Sequence, residues 1–324
     1  MKDLKKLSLV ALCSLSLGGL ASCGTGSSLK KIGILEYITQ DALEQCRFGF
    51  VQALKDGGYE EGKNITIDYQ NPEAESSNNT TMASKLARES DLVFGIATPS
   101  ATALKSAVSD AGRNIPILYS AVTDPVNAGL IQSVTDHGNV LGASDAGPTE
   151  KNIEIFTHFT DIRKIGIIYS IGETNSIVQK NEAEAACSKF GLTLVDGGFG
   201  QKNELASVIH GLIGKGIQGL FVPTDNAVSA SMASIKDTLI ENKIVTVCAD
   251  KAETANGGSL GYSVDYTDLG KTTGEMAVKL LNGEDINSIP CSLSSSFPLS
   301  VNDSFFSSTG ITLPDDIPQK VTLD

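Results

Sequence analysis

Apolar runs and helix-period stretches alternate along most of this chain, and that alternation predicts its architecture. Strands are predicted at Ile32–Leu35, Ile65–Tyr69, Leu92–Ala97 and Ile115–Tyr119. A second set follows at Ile165–Tyr169, Thr193–Val195, Gly219–Val222 and Ile244–Cys248. Between strands, Leu43, Cys46, Phe50 and Leu54 form one helical stripe, stopped by Gly57-Gly58. Leu205, Val208, Ile209 and Leu212 form another, as do Val228, Met232, Ile235 and Leu239. The two strand sets are offset by about 130 residues at each member, which implies two copies of one βα arrangement. Strands joined by helices must run parallel, with right-handed crossovers. The expected fold class is therefore α/β: two doubly wound, Rossmann-like lobes with a cleft between them, the ligand meeting the carboxyl ends of the strands.

Composition narrows the function. The chain has 324 residues, 41% hydrophobic and 19% charged, with 25 basic and 38 acidic residues for a net charge of −13. Phosphate contact needs clustered Lys and Arg, so nucleic acid is excluded as a partner. Three scattered histidines (His137, His158, His210) argue against a metal centre, and no cofactor motif stands in a suitable context. Gly257-Gly258-Ser259-Leu260-Gly261 matches a nucleophile elbow, but a strand follows it and no His lies beyond His210. Gly214–Gly219 matches a dinucleotide loop in the reverse order, after a helix and before a strand. Gly270-Lys271-Thr272 lacks the first P-loop glycine. An enzyme is not expected, although a hydrolase acting through Ser259 stays testable.

The N-terminal segment reads as a leader. Lys2, Lys5 and Lys6 precede an apolar run, Leu7–Leu20, too short for a comfortable permanent span. Leu20-Ala21-Ser22-Cys23 resembles the bacterial lipobox, which implies a signal peptide over 1–22, lipid (palmitate) on Cys23 and a flexible tether over 23–28. The expected location is the cell envelope outside the cytoplasm, anchored to the membrane by lipid. Cys46, Cys187, Cys248 and Cys291 are each isolated and read as buried free thiols, though export also permits disulfides.

The strand ends carry Thr98-Pro99-Ser100, Ser120 to Asp124, Glu173 to Ser176, Pro223 to Asn226, Ala249-Asp250 and Tyr262 to Asp265. Hydroxyls and helix N-termini suit a carboxylate, and a buried Asp suits an ammonium, so a zwitterion is the natural ligand. The same residue types are ordinary helix caps, and Ser100, Asp124, Asn226 and Asp265 each have that alternative reading.

Four blocks resemble one family: Ala97-Thr98-Pro99-Ser100-Ala101, the stretch Ser120 to Leu130, Val222-Pro223-Thr224-Asp225-Asn226 and the stretch Gly261 to Gly270. It is the ABC-transporter substrate-binding lipoproteins of the type I periplasmic-binding-protein fold, in the group that includes tryptophan and phenylalanine binders. The resemblance implies three crossovers, with lobe 1 at 29–140 plus 266–290 and lobe 2 at 141–265 plus 291–324. It implies first-lobe ligand contacts at Thr98, Ser100, Ser120 and Thr123, second-lobe contacts at Asn175, Ser176, Thr224 and Asp225, and Asp265 at the amino group or the hinge. It implies a monomer that binds a small zwitterion, an amino acid with aromatic ones among the candidates, by lobe closure and hands it to a permease and ATPase. Many relatives carry His-Pro where this chain has Gln40-Asp41, which leaves side-chain specificity open. A nucleoside or sugar binder of the same fold, and a non-transport sensor or partner-binding lipoprotein, are the alternatives.

Overall fold

The computed structural model describes residues 29–323. The leader, the tether and Cys23 lie outside them. Two mostly parallel sheets form the framework. The first contains β1 (Lys30–Glu36), β2 (Ile65–Gln70), β3 (Leu92–Ile96), β4 (Ile117–Ser120), β5 (Val140–Ser144) and the short β11 (Ser292–Leu293), in the order β11-β5-β4-β3-β1-β2. The second contains β6 (Lys164–Ser170), β7 (Thr193–Phe199), β8 (Gly219–Val222), β9 (Val245–Cys248), β10 (Leu260–Tyr262), β12 (Ser296–Val301) and β13 (Lys320–Thr322), in the order β13-β12-β10-β9-β8-β6-β7. Five strands of each sheet share one doubly wound order, and only the β10–β12–β13 edge turns antiparallel. The repeat in the sequence is thus a repeat of topology.

The helices are α1 (Asp41–Asp56), α2 (Ser76–Glu89), α3 (Thr98–Asp110), α4 (Thr149–Ile155), α5 (Thr174–Phe190), α6 (Leu205–Gly214), α7 (Asn226–Ser229), α8 (Met232–Glu241), α9 (Lys251–Asn256), α10 (Tyr266–Leu281) and α11 (Asp303–Thr309). The stripe of α1 turns Leu43, Cys46, Phe50 and Leu54 inward, and Phe50 stacks on Phe94 of β3 at 4.1 Å. α10 lies along α1 and packs on β4 and β5. Glycine makes this approach possible. A Cβ on Gly270 would stand 1.8 Å from the Cys46 carbonyl, and one on Gly49 would stand 2.1 Å from the Thr267 carbonyl.

The chain passes between the sheets three times, after β5, after β10 and after β11. Two expected boundaries shift. The reading assigned residues from 141 onward and from 291 onward to the second lobe, but β5 pairs with β4, and β11 pairs with β5, in the first sheet. β5 is a short run interrupted by Gly142, which hides its strand character. Cys46, Cys187, Cys248 and Cys291 are buried and free.

Candidate functional site

The carboxyl ends of the two sheets face each other, and a narrow cavity of about 10 Å³, room for about one water molecule, lies between them. Its wall draws on both lobes, with Gln40, Leu43, Ala121, Asp145 and Tyr266 on one side and Asn175, Thr224, Asn226, Ser229 and Asp250 on the other. Hydrogen bonds cross directly between lobes. Thr123 and Thr224 share one at 3.1 Å, the Gln40 amide donates to Asn226 at 3.4 Å, and Asn256 donates to Asp41 at 3.0 Å. Two non-glycine residues at strand tips, Ala97 (φ 80°) and Ala121 (φ 55°), are held in the left-handed region, a strain that persists where the surrounding structure over-determines it.

Five carboxyls are buried around this space: Asp145, Glu173, Asp225, Asp250 and Glu253. None of them joins an ion pair among the described residues, and no Lys or Arg lines the cavity. They divide by how fully their oxygens are used. Asp225 accepts from Ser170 N and the Ser176 hydroxyl, both at 2.6 Å, and from Val228 N at 3.0 Å. Glu173 accepts from the backbone and side-chain nitrogens of Asn226, from the Asn175 side chain and from Ala227 N. These two brace the α5 and α7 starts and fix Asn175 and Asn226.

The other three are under-used. Asp250 accepts only from Ala252 N at 2.7 Å. Asp145 accepts from the Tyr266 hydroxyl at 2.9 Å, and its Oδ1 has no partner. Glu253 accepts from Ser229, and its Oε2 has no partner. Asn175 Oδ1, on the cavity wall, is also unpartnered. The unpartnered atoms of the wall are therefore acceptors, which a cation or a strong donor would satisfy.

Burial holds these acids toward their neutral forms. Asp250 is pushed up to about 7 by burial and then by Asp145 and Asp41. Glu173 is pushed up to about 8 by burial and by Asp225. Asp145 and Glu253 are raised for the same first reason. The Tyr37 phenol is pushed up to about 12 by burial and then by Glu173 and Asp225. Each shift marks a buried acidic group with too few positive neighbours.

The expected site residues scatter over several roles. Asn175, Thr224 and Thr123 lie at the cavity or across its closure. Thr98 follows strained Ala97 at the start of α3 and lines a separate groove with Asn79, Gly172 and Thr174, and its buried hydroxyl has no partner. Ser176 and Asp225 bond each other inside lobe 2. Ser100 donates to Asn79 at 3.2 Å, and Ser120 bonds Thr273 of α10 at 2.6 Å, so both serve packing within lobe 1. Asp265 is exposed and caps α10 through Thr267 N and Asp268 N, away from the cavity lining. The acids that do present free oxygens, Asp145 and Asp250, were not among the expected contacts. Asp250 stood among the strand-end residues, whereas Asp145 follows the strand the pattern missed.

The motif matches resolve structurally. Ser259 is fully buried and bonds both the N–H and the carbonyl of Thr246, tying β9 to the chain entering β10. Gly216, with φ 76°, turns the chain after α6. Among the described residues, no helix is long and apolar enough to cross a membrane, and no three His, Cys, Asp or Glu converge to hold a metal ion.

A family profile described as ABC transporter substrate binding protein matches residues 31–322. A tyrosine-binding protein of Clostridioides difficile (strain R20291) is 36% identical over 264 residues, 81% of this chain and 75% of its own length. The structure of an ABC domain in complex with L-Trp from Streptococcus pneumonia is 30% identical, covers 90% of this chain and 97% of its own, and superposes with a TM-score of 0.83. A ligand-free, open structure of a substrate binding protein with adhesive properties from Clostridium difficile is 38% identical, with 89% and 97% covered, yet its TM-score is 0.67. The present lobe arrangement thus matches the tryptophan complex better than the open form, against the order of sequence identity.

Proposed function

Since this chain belongs to the family of ABC transporter substrate-binding proteins, we propose that it is the extracytoplasmic, lipid-anchored receptor of an amino-acid importer. It takes an amino acid with an aromatic side chain. The observation that carries the ligand class is the acceptor-rich wall of the inter-lobe cavity, where Asp145 and Asn175 have unpartnered oxygens, Asp250 accepts a single hydrogen bond and no basic side chain answers them. An α-ammonium supplies the missing donors. The N-terminus of α3, with the unpartnered Thr98 hydroxyl, suits the carboxylate. Leu43 and Tyr266 offer the apolar surface an aromatic ring needs. The ligands of the two relatives, tyrosine and L-Trp, agree with that chemistry.

Each lobe carries half of the contacts, so ligand favours the state in which the halves meet. The closed monomer then passes its amino acid to the permease, and Cys23 keeps it at the membrane. No chemistry is performed on the ligand. Titration calorimetry against the twenty amino acids, with nucleosides and sugars alongside, tests the reading. Tight binding of tyrosine, tryptophan or phenylalanine is expected. A tight sugar or nucleoside with no amino acid bound would overturn it.

A partner-binding role is the second reading, favoured by the adhesive properties of the 38% identical relative. Capture of a host-surface protein by ligand-saturated protein would support it.

A further inference from the structure

Asp145 and Asp250 line the cavity and Glu253 lies behind Ser229, so the cavity and its surroundings hold more carboxyls than one ammonium can answer. Asp145 arrives from the first lobe, and Asp250 and Glu253 arrive from α9 and its cap in the second. All three are at least nine-tenths buried. The titratable groups that face them are acids, a phenol and a thiol, with no base among them: Asp41 at the start of α1, Asp225 before α7, Cys248 at the end of β9 and Tyr266 of α10. Lys251, next to Asp250 in sequence, is exposed. A closed cavity with three ionised carboxylates and no cation is prohibitive in a low dielectric. In this closed arrangement, protons must therefore occupy the site whenever an ammonium does not.

Resting on the amino-acid reading above, we propose that the Asp145–Asp250 pair is a proton-exchanging ammonium site, so that ligand capture expels a proton. A carboxyl of the pair gives up its proton as the ligand's R–NH3+ takes its place, and the charge inside the closed cavity stays constant. Glu253, behind Ser229, keeps its own proton in both states. The unpartnered Oδ1 of Asp145 and the single hydrogen bond of Asp250 leave the oxygens the ammonium needs, one from each lobe. The exchange is also a latch. Two carboxylates brought together by closure repel, and the bridging ammonium converts that repulsion into attraction.

The sign follows from linkage. The ammonium lowers the affinity of the pair for protons, so the bound form carries fewer protons than the free form, and affinity rises with pH. With Asp250 pushed up to about 7 in the closed, unliganded arrangement, by burial and then by Asp145 and Asp41, the rise runs below about pH 7 and levels above it. Calorimetry with L-tyrosine and L-tryptophan, in buffer pairs of different protonation enthalpy, should show close to one proton released per ligand at pH 6. Affinity should climb by up to about tenfold per pH unit below neutrality. Asp250→Asn and Asp145→Asn, each checked for an intact melting transition, should bind more weakly and with a flattened pH profile. Hydroxyphenyllactate, with a hydroxyl in place of the ammonium, should release no proton. Tight amino-acid binding with buffer-independent heat and equal affinity at pH 5.5 and 7.5 would overturn the proton exchange while leaving the ligand assignment standing. Failure of every amino acid at every pH would remove both.

Discussion

Asp225 and Asp250 each follow a strand of the second sheet and cap a short helix, yet their fates in a variant differ. Asp225 answers three donors, two of them at 2.6 Å, so Asp225→Ala strands those groups in a buried place. A loss of about 2–4 kcal/mol of stability is expected, read as a lower melting temperature with or without ligand. Asp250 answers one donor, so Asp250→Asn leaves the cap in place and removes the charge that meets the ammonium. A loss of about 2–4 kcal/mol in binding is expected by calorimetry, with a much smaller change in unliganded melting. From the residue types alone, these roles were not separable. Ser, Thr, Asn and Asp at strand-to-helix turns serve as caps and as ligand contacts, and only the direction of the side chain distinguishes them. Ser100, Ser120 and Asp265 turned inward or outward to structural partners for that reason. Asp145 and Asp250 stand far apart in the chain and converge only through the crossovers.

Helices α1 and α10 make the tightest contact between elements, and glycines permit it. Gly270→Ala drives a methyl into the Cys46 carbonyl, so either α10 shifts or α1 does. A destabilisation of about 1–3 kcal/mol is expected in chemical denaturation. An unchanged midpoint would contradict the close approach. Periodicity revealed these helices well, because a stripe such as Leu43, Cys46, Phe50 and Leu54 survives in any packing. It revealed β1 to β4 and β6 to β9 equally well. β5 and β11 escaped, because two- to five-residue strands holding Gly or Ser carry little pattern. Their absence from the reading is what moved the lobe boundaries. Gly270 stood out in the sequence as part of an incomplete phosphate loop, and its actual task is helix packing.

At the scale of the whole molecule, the buried acids tie stability to pH. Glu173 and Asp250 hold protons in the folded chain to about 8 and about 7, against ordinary values of 4.5 and 3.8. The folded state therefore binds more protons than the unfolded state in that interval, and stability falls as pH rises through it. The unliganded protein should melt lower at pH 8 than at pH 5. Saturating aromatic amino acid should reverse the part of that loss due to Asp250, because the bound ammonium replaces its proton, and leave the part due to Glu173. A melting temperature that climbs steadily from pH 5 to pH 8 without ligand would contradict the burial of these groups.

The threefold passage between sheets has a consequence for biosynthesis. The first lobe begins with β1 but is finished only by α10 and β11, near the far end of the chain. An emerging polypeptide can assemble β1 to β5 early, yet α1 lacks its main partner until residue 281 has been made. Vectorial folding from the N-terminus is thereby postponed. A chain whose first half cannot lock prematurely stays threadable, which is the condition an export channel imposes on its cargo.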